Sequence, residues 1–266
     1  MYEIVDRDIE VGGSILAGAL AYRFFVWLLP FALVLVAGLG IASDVASRSP
    51  ESAAKSLGVT GLVSHSVASA ANGPARWYAL IVGIPTMLYM TRTLLRALIV
   101  EHRLVWTDLR ATAPRPTPSA TFRFLGLLLC LFLASGLAAT ARAWSVGVGV
   151  LASLVVIVPY AGLWLLVSSR LPHRDAPWTA LWPGALLFGV GIEVIQLVGA
   201  YVFGPLSLSR EGTYGALGIA AALLLALFFI SRLVVAAAGL NATLWERRVR
   251  GSSVGHPAAV DEQVRP

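Results

Sequence analysis

The sequence predicts an all-α membrane protein, a six-transmembrane-helix bundle with kinked helices and interfacial helices on both sides. Three observations carry that prediction. Hydrophobic residues make up 58% of the chain and charged residues 13%, with a mean hydropathy of +0.79, whereas a soluble domain is about one-quarter charged. So little charge cannot cover a surface that faces water. The apolar residues also fall in long runs bounded by arginine and proline, as helices solvated by lipid do. Finally, the basic residues gather at the ends of those runs, where they set orientation in a membrane. The net charge of +6 and pI of about 10.0 would otherwise suggest nucleic acid, but this distribution argues against it.

The spans follow in order as about 13–42, 77–92, 122–141, 146–167, 178–203 and 214–244, within a single transmembrane domain over 1–250. Phe24 to Ala42 holds nineteen uncharged residues, enough to cross the hydrocarbon core. Before it stand Glu3, Asp6, Asp8 and Glu10 against Arg7. A secretory signal has a basic n-region instead, so the first run reads as an uncleaved span. The second span is short, and its helix is expected to continue past Arg92. Spans three and four are joined so briefly, at Arg142–Ser145, that they must form a tight hairpin. Pro30, Pro85, Pro159 and Pro183 each fall inside a span, where proline removes a backbone bond and bends the helix. Ala185 with Gly189, and Gly215 with Gly218, are small enough for close helix contact.

Orientation follows from lysine and arginine in the connections. The N-terminus, the 91–123 and 168–177 connections and the C-terminus together carry 13, and the other side carries 5. Both termini are therefore expected in the cytoplasm. Residues 53–71 read as a weak surface helix on the outer side. The prolines of 113–120 form a stiff spacer, and 251–266 reads as a disordered cytoplasmic tail. After span two, Arg92, Arg96, Arg103 and Arg110 are spaced four, seven and seven, a single stripe on a helix. Leu94, Leu95, Leu98, Ile99, Val105, Trp106 and Leu109 form an adjacent apolar face, with Glu101 and Asp108 opposite the arginines. That pattern suits lipid-headgroup contact, although topology alone also accounts for the charge.

Ionisable residues inside the bilayer are costly and mark sites by default. Glu193 lies deep in span five, with Gln196 one turn on. Arg232 in span six, at similar depth on the antiparallel neighbour, is the expected ion-pair partner. Arg23 in span one is a second candidate, close enough to the span's end to snorkel. The set Glu193, Gln196, Arg232 and Arg23 is either a substrate path or a buried ion pair that holds helices together. Cys130 is the one cysteine, and His65, His102, His173 and His256 show no metal-ligand spacing.

From Gly13 to Arg247 the chain resembles the YihY/BrkB family of bacterial inner-membrane proteins. The resemblance is carried by Ala19-Leu20-Ala21-Tyr22 with Leu28-Leu29-Pro30, by Arg92 to Leu98 ending at Trp106, and by Arg170-Leu171-Pro172. Tyr214-Gly215 and Leu240-Asn241-Ala242 complete the ordered set. The chain departs from that pattern at Gly239, where the family places an acid, near Ala226, where it places a tryptophan, and at Arg23. The resemblance implies a membrane protein linked in some members to serum resistance or to movement of lipid intermediates.

No metal cluster, phosphate-binding loop or Ser/His/Asp arrangement is present, so the sequence predicts neither an enzyme nor a bound metal or cofactor. The expected partners are membrane lipids and not nucleic acid, and the sequence admits a homo-oligomer or an envelope protein as partner. The function expected is a transporter or flippase of an amphipathic anionic, lipid-like substrate. The alternative is a non-transporting scaffold or envelope-integrity protein. An open groove lined by Glu193 favours the first; a bundle sealed by packed side chains favours the second.

Overall fold

A computed structural model describes residues 2–45, 75–106, 115–142, 146–174, 176–199 and 211–254. The described chain is helical almost throughout, with no strand among the described residues. A short α1 (Tyr2–Glu10) precedes α2 (Gly13–Val45), α3 (Ala75–Val105), α4 (Pro118–Arg142) and α5 (Val146–Ser168). A 3-10 turn, Trp178–Leu181, leads into α6 (Trp182–Val198), and α7 (Glu211–Val254) ends the described chain. Six of these helices, α2 to α7, are long and apolar enough to cross a membrane. The predicted six-span bundle is what the structure has. The predicted surface helix at 53–71, Arg110 and the tail beyond Val254 lie outside the described residues.

Each spanning helix packs on its neighbour in sequence, and α7 returns to pack on α2, so the six form a closed ring. Aromatic side chains pack between its helices. Trp27 stacks on Phe31 of the same helix at 5.0 Å between ring centroids, and Phe132 of α4 meets both. Nearer the termini, Trp164 of α5 stacks on Phe188 of α6 at 4.3 Å, with His102 of α3 beside it. Trp27 also donates its indole N–H to Thr91 Oγ1 at 2.8 Å, tying α2 to α3. Outward-facing Leu29, Leu133, Leu154, Val158 and Leu186 present a hydrocarbon surface to lipid. Exposed Trp77 and Tyr78 open α3, and exposed Trp178 and Trp182 open α6, at the two ends of the bundle. Amphipathic rings at both ends match the two interfaces of a bilayer.

Two details depart from the sequence reading. The arginine stripe is not carried by a separate surface helix. Arg92, Arg96 and Arg103 belong to the 31-residue α3, which continues straight from the span. Its Leu94, Leu98, Glu101 and His102 are all buried in the bundle, while Arg92 and Arg96 stay exposed. Pro183, expected to bend a span, sits in the first turn of α6, where a missing N–H leaves no intrahelical bond unmade. Pro30, Pro85 and Pro159 do lie inside helices.

Candidate functional site

Helix α6 has two working faces, and its glycines show where each points. A Cβ on Gly184 would meet Ala237 O and the Asn241 side chain, and one on Gly191 would meet Leu233, all on α7. A Cβ on Gly189 would lie 2.8 Å from Ile157 O and 3.1 Å from Ala161 Cβ, on α5. Glu193 and Gln196 follow Gly189 by four and seven residues, so they share the α5 face. Asn241 of α7 anchors the start of α6: its Oδ1 accepts the Gly184 N–H at 2.7 Å, and its Nδ2 donates to Leu181 O at 3.1 Å. It therefore satisfies a backbone donor in the first turn of α6, which has no intrahelical acceptor.

On the α5 face, six polar side chains from α4, α5 and α6 form one network inside the apolar bundle. Arg142 Nη2 lies 2.7 Å from both carboxylate oxygens of Glu193. Arg142 Nε donates to Ser153 Oγ at 3.1 Å, and its terminal nitrogens reach Gln196 Oε1 at 3.3 and 3.4 Å. Gln196 Nε2 in turn donates to Ser135 Oγ at 2.9 Å and to Tyr160 Oη at 2.7 Å, and Tyr160 donates to Ser135 at 2.9 Å. The side chains of Arg142 and Glu193 are only 9% and 4% exposed. Paired and fully bonded, the buried charges escape the large penalty of an isolated ion in low dielectric. Glu193 lines no open groove here; it is sealed.

The expected Glu193–Arg232 pair is therefore not formed. Arg232 instead grips Asp8 of α1, Nη1 to Oδ1 at 2.9 Å and Nη2 to Oδ2 at 3.0 Å. The physical reason is rotation about the α6 axis. At about 100° per residue, Glu193 points some 200° away from Gly191, the residue that faces α7. Arg23 is exposed on α2 and joins none of these clusters.

Asp8 is held where it is by the turn between α1 and α2. Gly12 adopts φ +68°, a left-handed conformation that closes the end of a helix and that glycine adopts without steric cost. Next to it, a Cβ on Gly13 would collide with the Asp8 carboxylate and come within 2.9 Å of Arg232 Nη1. Arg7, one residue before Asp8, donates to Val105 O at 3.0 and 2.8 Å and to both oxygens of Glu246 at 2.9 Å. The Arg7 guanidinium thus clamps α1 to the end of α3 and to α7.

Between α1, α3 and α7 these contacts leave a cleft of ≈ 220 Å³, lined by the charged Arg7, Asp8 and Arg232 together with the apolar Val11, Val105, Val235 and Ala236. Arg232 has five N–H donors; two go to Asp8, and the other three meet no acceptor among the described residues. A larger cavity of ≈ 460 Å³ lies beside Trp245, Glu246 and Trp106. Arg7 lines the first space and Glu246 the second, so their ion pair stands between the two.

Residues 5–262 match the family model of virulence factor BrkB. The chain belongs to the BrkB family. No curated protein and no solved structure gives a significant match. Within this BrkB-family chain, Asn241 of the Leu240-Asn241-Ala242 stretch is the residue that anchors α6, and Trp106 ends the buried run of α3. Among the described residues, no group of three or more His, Cys, Asp or Glu side chains is placed to hold a metal ion. Arg142, Asp8 and Gly13 are among the site residues that sequence reasoning passed over, as are Ser135, Ser153 and Tyr160. The first counted as a loop charge and the second as part of an acidic leader. A charge at the very edge of a span, within a three- or four-residue connection, is the signal that would have singled out Arg142.

Proposed function

We propose that this BrkB-family protein binds an amphipathic anionic, lipid-like molecule at the cleft between α1, α3 and α7 and passes it along the bundle's outer surface as a transporter or flippase. The observation that carries the reading is Arg232: three N–H donors beyond the two given to Asp8, in a cleft that valines line as well. An anionic headgroup bonds to a guanidinium through charge-assisted hydrogen bonds, and an acyl chain is satisfied by Val11, Val105 and Val235. The 13-to-5 charge asymmetry supports a cytoplasmic position for this end of the bundle, and a bacterial cytoplasmic membrane is the compartment proposed. The reading gives the chain no catalytic role, and lipids are its proposed partners.

The sealed Arg142–Glu193 network and the aromatic contacts between helices favour a second reading, a non-transporting scaffold. Reconstitution separates the two. Liposomes containing the purified protein and a headgroup-labelled anionic lipid report scrambling as loss of signal to an impermeant quencher. Transport predicts a rate above that of empty liposomes, falling by about tenfold in Arg232→Met, the equivalent of ~1.4 kcal/mol. A rate equal to that of empty liposomes leaves the scaffold reading standing.

A further inference from the structure

We infer that Asp8 is a displaceable internal counter-ion: a phosphate-bearing headgroup entering the cleft takes the place of Asp8 on Arg232 and loosens α1, which Arg7 alone then ties to Glu246 of α7. This rests on the reading of the cleft as the substrate site.

The Arg142–Glu193 and Arg232–Asp8 pairs differ in a way that bears on which of them can exchange. Arg142 and Glu193 are 9% and 4% exposed, so an exchange there strands a buried carboxylate. Arg232 and Asp8 are 32% and 28% exposed, and both line the cleft. Asp8 can therefore leave Arg232 for water. Replacing one carboxylate by one phosphodiester leaves the charge beside Arg232 unchanged, so no uncompensated ion appears at any step. A phosphodiester presents two anionic oxygens, as the Asp8 carboxylate does, so it can take the same bidentate hold on the Arg232 guanidinium. Of the two arginines that line the cleft, Arg7 is already committed to Val105 O and Glu246.

The consequence for α1 follows from how it is attached. Its described polar links to the bundle are Arg7, to α3 and α7, and Asp8, to α7. Loss of the Asp8 link leaves one clamp and a Gly12 turn at φ +68° as the pivot. Occupancy of the cleft is then reported as the position of α1.

The test uses the full chain in vesicles, with Cys130→Ser removing the sole native cysteine and a spin label at Ile9→Cys, a position 72% exposed. The vesicles are phosphatidylcholine alone, phosphatidylcholine with phosphatidylglycerol, or phosphatidylcholine with soluble glycerol phosphate. The expected result is a rise of at least about fivefold in the mobile-to-immobile ratio of the label with phosphatidylglycerol, the lower end of ordinary coupling between two sites. Asp8→Asn should be mobile already in phosphatidylcholine, Asp8→Glu should remain locked there, and Arg232→Met should be mobile and blind to phosphatidylglycerol. A response to phosphatidylglycerol alone assigns a lipid headgroup; a response to glycerol phosphate as well assigns the phosphate group itself. Equal mobility in all three vesicles overturns the exchange, as does a phosphatidylglycerol response that survives in Arg232→Met. The response of the unsubstituted cleft needs no variant to fold. Scrambling measured on the same vesicles keeps the two ideas apart. Label release without scrambling removes the transport reading and keeps the exchange, and scrambling without label release does the reverse.

Discussion

Arg142, the last residue of α4, turns its guanidinium back into the bundle and meets both oxygens of Glu193 at 2.7 Å. The pair joins α4 to α6 across α5, and the surrounding Ser153, Gln196, Tyr160 and Ser135 complete its hydrogen bonding.

Removing one partner leaves the other charged and buried. Glu193→Gln is expected to destabilise the bundle by about 3–5 kcal/mol, while a double replacement, Arg142→Met with Glu193→Met, recovers most of that loss. Unfolding of both variants in mixed detergent micelles measures the difference. A double variant as unstable as the single one means that the pair contributes attraction beyond its own burial cost.

Asn241 bridges the Gly184 N–H and the Leu181 carbonyl, so Asn241→Leu deprives two backbone groups of their partners. Each buried group left unsatisfied costs about 1–3 kcal/mol. The same unfolding measurement checks the total, and amide exchange at Gly184 should accelerate selectively.

Two glycines make a paired test of helix contact. Gly189 lies so close to Ile157 O that Gly189→Ala forces α5 and α6 apart, at about 1–3 kcal/mol. Nothing lies within 4 Å of a Cβ at Gly162, so Gly162→Ala is expected to stabilise by about 0.5–1 kcal/mol through helix propensity alone. Melting temperatures that move in the same direction for both variants contradict this assignment.

Thr91→Val removes the acceptor of the Trp27 indole N–H within a site that is otherwise apolar. The expected loss is about 1–3 kcal/mol, and it should appear with a shift in tryptophan fluorescence as the indole loses its bond.

Much of the architecture was legible because lipid solvation writes itself into composition. Six apolar runs with arginines at their ends have few other solutions, and Glu193 with Gln196 stood out as polar residues one turn apart. The partner of Glu193 was not legible in the same way. Hydropathy gives depth along a helix, and at comparable depth Arg232 was the natural choice. The azimuth of each side chain decides the pairing, and it depends on which face of α6 meets α5 and which meets α7. Gly184 and Gly191, seven apart, mark the second face, while Gly189, Glu193 and Gln196 mark the first. Asp8 was hidden for another reason. Its role depends on a left-handed glycine that folds α1 back against the end of the bundle, and neither a hydropathy window nor a charge count registers that turn.

The ties between α1 and α7 are separated by 224 residues for Asp8–Arg232 and by 239 for Arg7–Glu246. A ribosome must therefore complete almost the entire chain before either can form. During synthesis Arg7 can meet Val105 O as soon as α3 is made, but Asp8 has no arginine to grip until the final span follows. The lock between α1 and α7 is thus a late event of assembly. A chain truncated before Arg232 would leave the Asp8 carboxylate without its arginine at an unfinished seam.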